Sequence, residues 1–203
     1  MNKSGNENRS VRNTKRKLKE ALMTLMQTKP VNAISVKELT ELADVNRGTF
    51  YLHYSDIYDM LHKIEDEFFV EFEGVLNNST PSDENDAIMY MKEIYTFLKK
   101  NEDICRMFCS SNVEISFFNK LKLLIGNKCC SVWESAELQM NRKQTEYYNA
   151  FIFSGSAGIL QHWLDNDLAE SPEDVARLVA AIIANSAKSF LVVSDDIRSE
   201  PVS

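Results

Sequence analysis

Glycine and proline are scarce in this chain, six and four among 203 residues. Long stretches therefore carry no turn signal. No run of about eighteen apolar residues occurs, which excludes a membrane-spanning helix. The N-terminus, MNKSGNENRSVRNTKRK, is polar and basic with no apolar stretch behind it, so it lacks the form of a signal peptide. A cytoplasmic location and no membrane partner are expected. Cysteine is limited to four residues, which fits thiols rather than a disulfide framework. Cys105 and Cys109 stand at i and i+4, and Cys129 and Cys130 are adjacent, but no zinc spacing results, and buried free thiols are expected. Phosphate loops, nucleophile elbows and Ser/His/Asp or Cys/His arrangements are also missing. No catalytic residue, cofactor or metal site is expected, and an enzyme is disfavoured.

What is present is an uneven charge and a helical rhythm. The net charge is −7. Residues 1–55 hold ten Lys and Arg against five acids, whereas residues 56–203 hold 13 against 25. A basic head on an acidic body points to a polyanion that meets the head alone. Apolar residues recur at three and four throughout, so the fold class is all-α, with about nine helices. Residues 1–10 are expected as a disordered tail, 11–54 as a first domain, and 55–203 as a larger helical domain.

In the first helix Leu18, Ala21, Leu22, Leu25 and Met26 share a face, with Arg12, Lys15, Arg16 and Lys19 as an adjoining stripe. Pro30 ends it. Ser35-Val36-Lys37-Glu38 has capping-box spacing for a second helix to about Ala43, with Val36, Leu39 and Leu42/Ala43 inward. Asp44 breaks that helix, and Asn46 caps a short third one over about 46–53. A fourth, long helix follows Ser55-Asp56, carrying Ile57, Met60, Leu61, Ile64, Phe68 and Phe72, and ends in the linker-like 77–83. Further helices are expected near 83–100, 102–110, 113–138, 142–167 and 172–193. The last starts on Ser171, Pro172, Glu173 and Asp174.

Two short helices and a turn within Ser35–Tyr54 have helix-turn-helix dimensions, and in that motif the second helix enters the major groove of DNA. Arg47 is then placed for a bidentate contact to guanine, and Gly48 lets the backbone approach. Thr49 suits a phosphate or a thymine methyl, while Tyr51 and His53 suit phosphate oxygens. Phe50 and Tyr54 are expected to pack inward. Ser35 and Lys37 begin the second helix at a natural phosphate site, and Asn46 completes the set.

The stretch ISVKELTELADVNRGTFYLHYSDIYDML, 34–61, resembles the DNA-binding domain of the TetR family of bacterial transcription regulators. The likeness rests on the apolar pattern of the second helix, Arg-Gly-Thr-Phe-Tyr at 47–51, the aromatic at 54 and the long helix after it. FIFSGSAGILQHWLDNDLAESPEDVARLV, 151–179, is similar to the end of a Firmicutes-type ligand domain of that family. The resemblance implies a symmetric homodimer, a three-helix reading head on a double-stranded DNA operator, and a helical body in which a small-molecule effector, here unknown, alters DNA affinity. Two departures stand out. Asp44 occupies a turn position where the family usually has Gly, and Asp tolerates the left-handed conformation better than most residues. Ile57 stands where the family often has a phosphate-contacting Lys.

In the body, Gly155 and Gly158 lie inside a helical stretch, and each costs about 1 kcal/mol relative to Ala. Close helix approach would offset that. With Trp163 and the row Ala176, Ala180, Ala184 and Ala187 they are candidates for a four-helix dimer interface. Phe68, Phe72, Phe108, Phe118, Trp133, Tyr147 and Phe151 are candidates for an apolar effector cavity. The expected function is a ligand-responsive repressor on a palindromic operator. The alternative is a TetR-like co-activator that works through a protein partner.

Overall fold

Helix boundaries fall where local side chains cap free backbone groups. The computed structural model describes residues 9–78, 84–109, 117, 120, 121, 124 and 142–198. Among these, the regular structure is helical: α1 (Arg9–Met26), a 3-10 turn (Val31–Ala33), α2 (Val36–Leu42), α3 (Arg47–Tyr51), α4 (Ile57–Asn77), α5 (Glu84–Lys100), α6 (Glu102–Cys109), α7 (Arg142–Asp165) and α8 (Pro172–Arg198). The all-α expectation holds. The helix expected over 113–138 lies outside the described residues, apart from the helical positions 117, 120, 121 and 124. So do 79–83 of the expected linker and the tail before Arg9. The first helix begins at Arg9, two residues before the expected start.

The chain divides into two compact units. One runs to Val70 and includes Asp103–Glu114, and the other takes Glu71–Glu102 and Ile115–Ser203. The change therefore falls within α4, and α6 belongs to the first unit, whereas the sequence reading drew its line at 54/55.

In the first unit α1 packs on α2, and α2 on α3. Leu18, Leu22, Leu39, Phe50, Met60 and Leu61 are fully buried. Ser35 caps α2 by accepting the Glu38 N–H at 3.2 Å. The Glu38 carboxylate does not complete the expected capping box, because it receives Lys29 Nζ instead. Leu42, expected inward, is exposed. It is the last helical residue, and Ala43 takes the buried place. Asp44 sits at φ 51°, in the left-handed region. Its N–H donates to Glu41 O at 3.3 Å, and the Val45 N–H donates to Thr40 O at 3.0 Å. This Schellman arrangement closes α2 without glycine.

In the second unit α8 packs against α5 and α7. Tyr148 donates its hydroxyl to Ile183 O at 2.8 Å, and the Tyr95 and Trp163 rings meet edge to face at 5.5 Å. Burial holds the Tyr95 hydroxyl in its neutral form well beyond the ordinary tyrosine range. Trp163 Nε1 donates to Glu170 O at 3.1 Å. A second Schellman closure ends α7, with Asp167 and Leu168 both at φ 53° and Leu168 N–H on Trp163 O at 2.9 Å. Ser171 Oγ accepts the Asp174 N–H at 3.2 Å, as its position before Pro172 predicts. No helix among the described residues is long and apolar enough to cross a membrane.

Candidate nucleic-acid interface

The short helix α3 is held at both ends and along one side. Asn46 Oδ1 accepts the Gly48 N–H at 2.7 Å and so caps the start. The buried side is aromatic: Phe50 has no exposed surface, Tyr54 is buried, and their rings lie 5.5 Å apart. Lys63 Nζ reaches back from α4 to donate to His53 O at 3.0 Å and to Asp59 Oδ2 at 3.0 Å. At the start of α4, Asp56 Oδ1 accepts the Asp59 N–H and Asp59 Oδ2 accepts the Ser55 N–H, each at 2.8 Å. The Ser55 N–H, and after it the Lys63 ammonium, hold the Asp59 carboxyl below the usual carboxylate range. The short helix is therefore fixed by contacts within its own unit.

With its inner side pinned, α3 turns the rest of its residues outward. Asn46, Arg47, Gly48 and Tyr51 are exposed, and Thr49 and His53 are half-buried. Ser35 and Lys37 are exposed at the start of α2, and Lys37 lies 3.8 Å from Glu41, an exposed pairing of little worth. All eight expected contact residues thus reach the surface of the first unit. A Cβ at Gly48 would lie 3.2 Å from Asn46 Oδ1, so glycine also leaves room for the cap. Ile57 is buried, which accounts for an apolar residue where a phosphate-contacting lysine would stand.

Leu52 was missed by the sequence reading. It is 79% exposed, more than any other large hydrophobic side chain among the described residues. Its signal was its distance of two residues from Phe50. The basic stripe of α1 is only partly directed outward. Arg16 is bound to Glu20 at 2.7 Å, and Lys15 and Lys19 lie 3.8 Å from Glu67 and Asp103. Arg9, Arg12 and Arg16 line a shallow depression with Ser10 and Asn13.

Comparison with known proteins fixes the family. Residues 85–185 match TetR_C_8, the transcriptional regulator C-terminal region. The chain belongs to the TetR family of transcriptional regulators. This TetR-family chain is 23% identical over 175 residues to an uncharacterized HTH-type transcriptional regulator, YxbF, of Bacillus subtilis. That match covers 82% of this chain and 44% of the relative, so the chain spans less than half the length of the curated relative it matches. Among solved structures, a TetR-family regulator from Syntrophomonas wolfei superposes with a TM-score of 0.67 at 16% identity, covering 87% of this chain and 95% of the other. DhaS, a dihydroxyacetone kinase operon activator, gives 0.60 at 18% identity, covering 87% and 97%. The fatty acid degradation regulator FadR from Bacillus halodurans gives 0.61 at 13%, covering 84% and 94%. These likenesses carry the fold. The family consists of regulators rather than enzymes.

The residues singled out in the body of the TetR-family chain separate into inner and outer sets. Phe68, Phe72 and Phe108 are buried. Tyr147 and Phe151, expected at a cavity, are instead 64% and 59% exposed on α7. They share that outer side with Gly155 and Gly158, where an added Cβ would meet nothing within 4 Å. Conversely Trp163, Ala176 and Ala180, expected between subunits, are buried inside the single chain, and Ala184 is half-buried. Small-residue rows have the same spacing in a subunit core and at an interface, so the pattern alone does not separate the two. Phe118 and Trp133 lie outside the described residues, as does the side chain of Ala187. Cys105 is a buried thiol. Cys129 and Cys130, and the side chain of Cys109, lie outside the described residues. Glu65, also missed, is a carboxylate 1% exposed on α4, with Oε2 3.7 Å from His62 Nδ1. Its signal was its place between Leu61, Ile64, Phe68 and Phe72 on the apolar side of that helix.

Proposed function

We propose that this chain is a DNA-binding transcriptional regulator that reads a palindromic operator as a homodimer and acts as a repressor released by a small-molecule effector. The observation that carries the DNA contact is the fixed α3, with Asn46, Arg47, Gly48 and Tyr51 outward and Phe50 and Tyr54 buried. Arg47 takes the guanine edge. Ser35, Lys37, Asn46, Thr49, Tyr51 and His53 hold phosphates or base edges around it. The basic balance of residues 1–55 draws that face, and not the acidic body, toward the polyanion.

The homodimer reading rests on the outer sides of α7 and α8. Tyr147, Phe151, Gly155 and Gly158 line one, and Leu178 and Ile182 are exposed on the other. Apolar surface of this kind is what an interface covers. A second copy also supplies the second half-site, about 34–36 Å away or a multiple of it. Repression and an effector follow the usual behaviour of the family.

The test is selection of bound duplexes from a random DNA library at moderate salt, followed by sequencing. An enriched palindrome is the expected result. Binding without enrichment that collapses as salt rises would leave only non-specific attraction and would remove the operator reading. Sedimentation velocity of Phe151→Glu tests the interface. The variant is expected as a folded monomer where the wild-type chain is a dimer, and an unchanged dimer would move the interface elsewhere.

A further inference from the structure

Exposure alone would not single out Leu52, because isolated surface leucines are common. Its position does. The α-helix turns about 100° per residue, so a residue two places from the fully buried Phe50 lies about 200° around the axis. Gly48 and Leu52 are those residues. Leu52 keeps the helical register as the C-cap of α3, at φ −71° and ψ −21°, with its N–H on Gly48 O at 3.2 Å. The centre of the outward face is thus a glycine with no side chain and, one turn on, an aliphatic side chain 79% exposed. Arg47, Tyr51 and Thr49 flank this line.

Resting on the DNA-reading role proposed above, we propose that Leu52 is a specificity-determining residue that reads the C5-methyl group of a pyrimidine in the major groove. The groove edge of a base pair offers one apolar feature, the thymine methyl. The same methyl is present on 5-methylcytosine. Leucine has no donor or acceptor, so it discriminates by burying that methyl, and it gains nothing where cytosine offers only a C5–H and leaves an acceptor unpaired where a purine presents N7. Gly48 lets the helix come close enough for the contact. Thr49 also carries a methyl group but is half-buried and lies about 60° around the axis from Leu52, and substitution of each in turn separates the two residues.

The experiment uses the full chain and the duplexes it selects from the random library. Each thymine of the half-site is replaced in turn by deoxyuridine, which removes the methyl and nothing else. One position per half-site is expected to lose about fourfold in affinity for each half-site substituted, the worth of one buried methyl group. Leu52→Ala is expected to bind the thymine and deoxyuridine duplexes equally, with the slope of affinity against salt unchanged because no charge is altered. Thr49→Ser keeps the full deoxyuridine penalty. Thermal unfolding of Leu52→Ala is expected to match wild type, since the side chain is 79% exposed. No penalty at any thymine, an undiminished penalty in Leu52→Ala, or its loss in Thr49→Ser would each overturn the assignment while leaving the operator reading intact. A library that returns no enriched duplex would overturn both.

Discussion

The solvent face of α3 carries Arg47, Tyr51, Leu52 and a glycine, whereas that of α7 carries Tyr147, Phe151 and two glycines. The first is five residues long and capped at its start, with an aromatic pair beneath. The second is part of a 24-residue helix tied inward where Tyr148 meets Ile183 and Trp163 meets Glu170. A face that mixes a cation, hydroxyl and ring edges over a rigid base suits an oriented polar partner such as a groove of DNA. A face of rings and glycines, with a lysine only at its start in Lys143, suits an apolar partner, for which a second copy is the simplest supply. Exposure by itself does not separate these two cases, but the chemistry of what is exposed does.

The sharpest way to break this contrast is to remove the base of α3. Phe50→Ala deletes a fully buried ring and is expected to destabilise the first unit by about 3–5 kcal/mol. A thermal melt followed with a probe in each unit should show the first unit failing and the second holding, and joint failure would deny the units their separate cores. Arg47→Ala is expected to act on binding alone. Specific affinity should fall by about 1–3 kcal/mol with preference relaxed at one operator position, and the melting temperature should stay put. An unchanged binding profile by fluorescence anisotropy would remove Arg47 from the reading set. Asn46→Ala takes away the cap on Gly48 and should cost about 1 kcal/mol, seen as faster amide exchange at Gly48 and Thr49 than elsewhere in the head.

Asp44→Gly should run the other way. At φ 51° an L-residue is strained by about 1 kcal/mol, and the partner lost, Lys17 at 3.3 Å, is an exposed ion pair of small value. A gain of up to about 1 kcal/mol by chemical denaturation is expected, and a loss would mean that the ion pair outweighs the strain. The smallest effect concerns acid. Lys92 first, and then Arg177, hold the Glu173 carboxyl below its usual range. A depressed folded pKa contributes stability that is present above the unfolded value, about 4.3 for Glu, and is lost as pH falls through the folded value. The melting temperatures of wild type and Glu173→Ala should therefore differ slightly at neutral pH and converge below the carboxylate range. A gap that persists in acid would assign the difference to packing instead.

The parts of the fold that depend on near neighbours in the chain could be read from sequence. Ser35, Asn46 and Ser171 accept the N–H groups their spacing selects, and Asp44 takes the left-handed turn expected of it. Phe50 and Tyr54 point inward because they fall on the apolar side of the third helix. Where a distant residue competes, the local rule fails. Glu38 turns to Lys29, nine residues away, rather than back to its own cap. A search for groups that bond to phosphate passes over leucine, although helical geometry places Leu52 opposite Phe50. In the body, periodicity identifies helices and their apolar sides, but it does not say which apolar side a helix buries in its own subunit and which it leaves open. Tyr147 and Phe151 lie on an open side of α7, whereas Trp163 and Ala176 are buried.

The five-residue length of α3 also limits information. Such a helix is about 7.5 Å long, little more than two base-pair steps of 3.4 Å, and side-chain reach extends its reading to about four base pairs. Four positions single out one sequence in about 256, far short of the ~10⁶ or more competing sites that a genome presents. A second identical reader at a fixed spacing squares that figure to about 65,000. In the homodimer proposed above, address length is thus set less by the affinity of any side chain than by how rigidly two short readers are held apart.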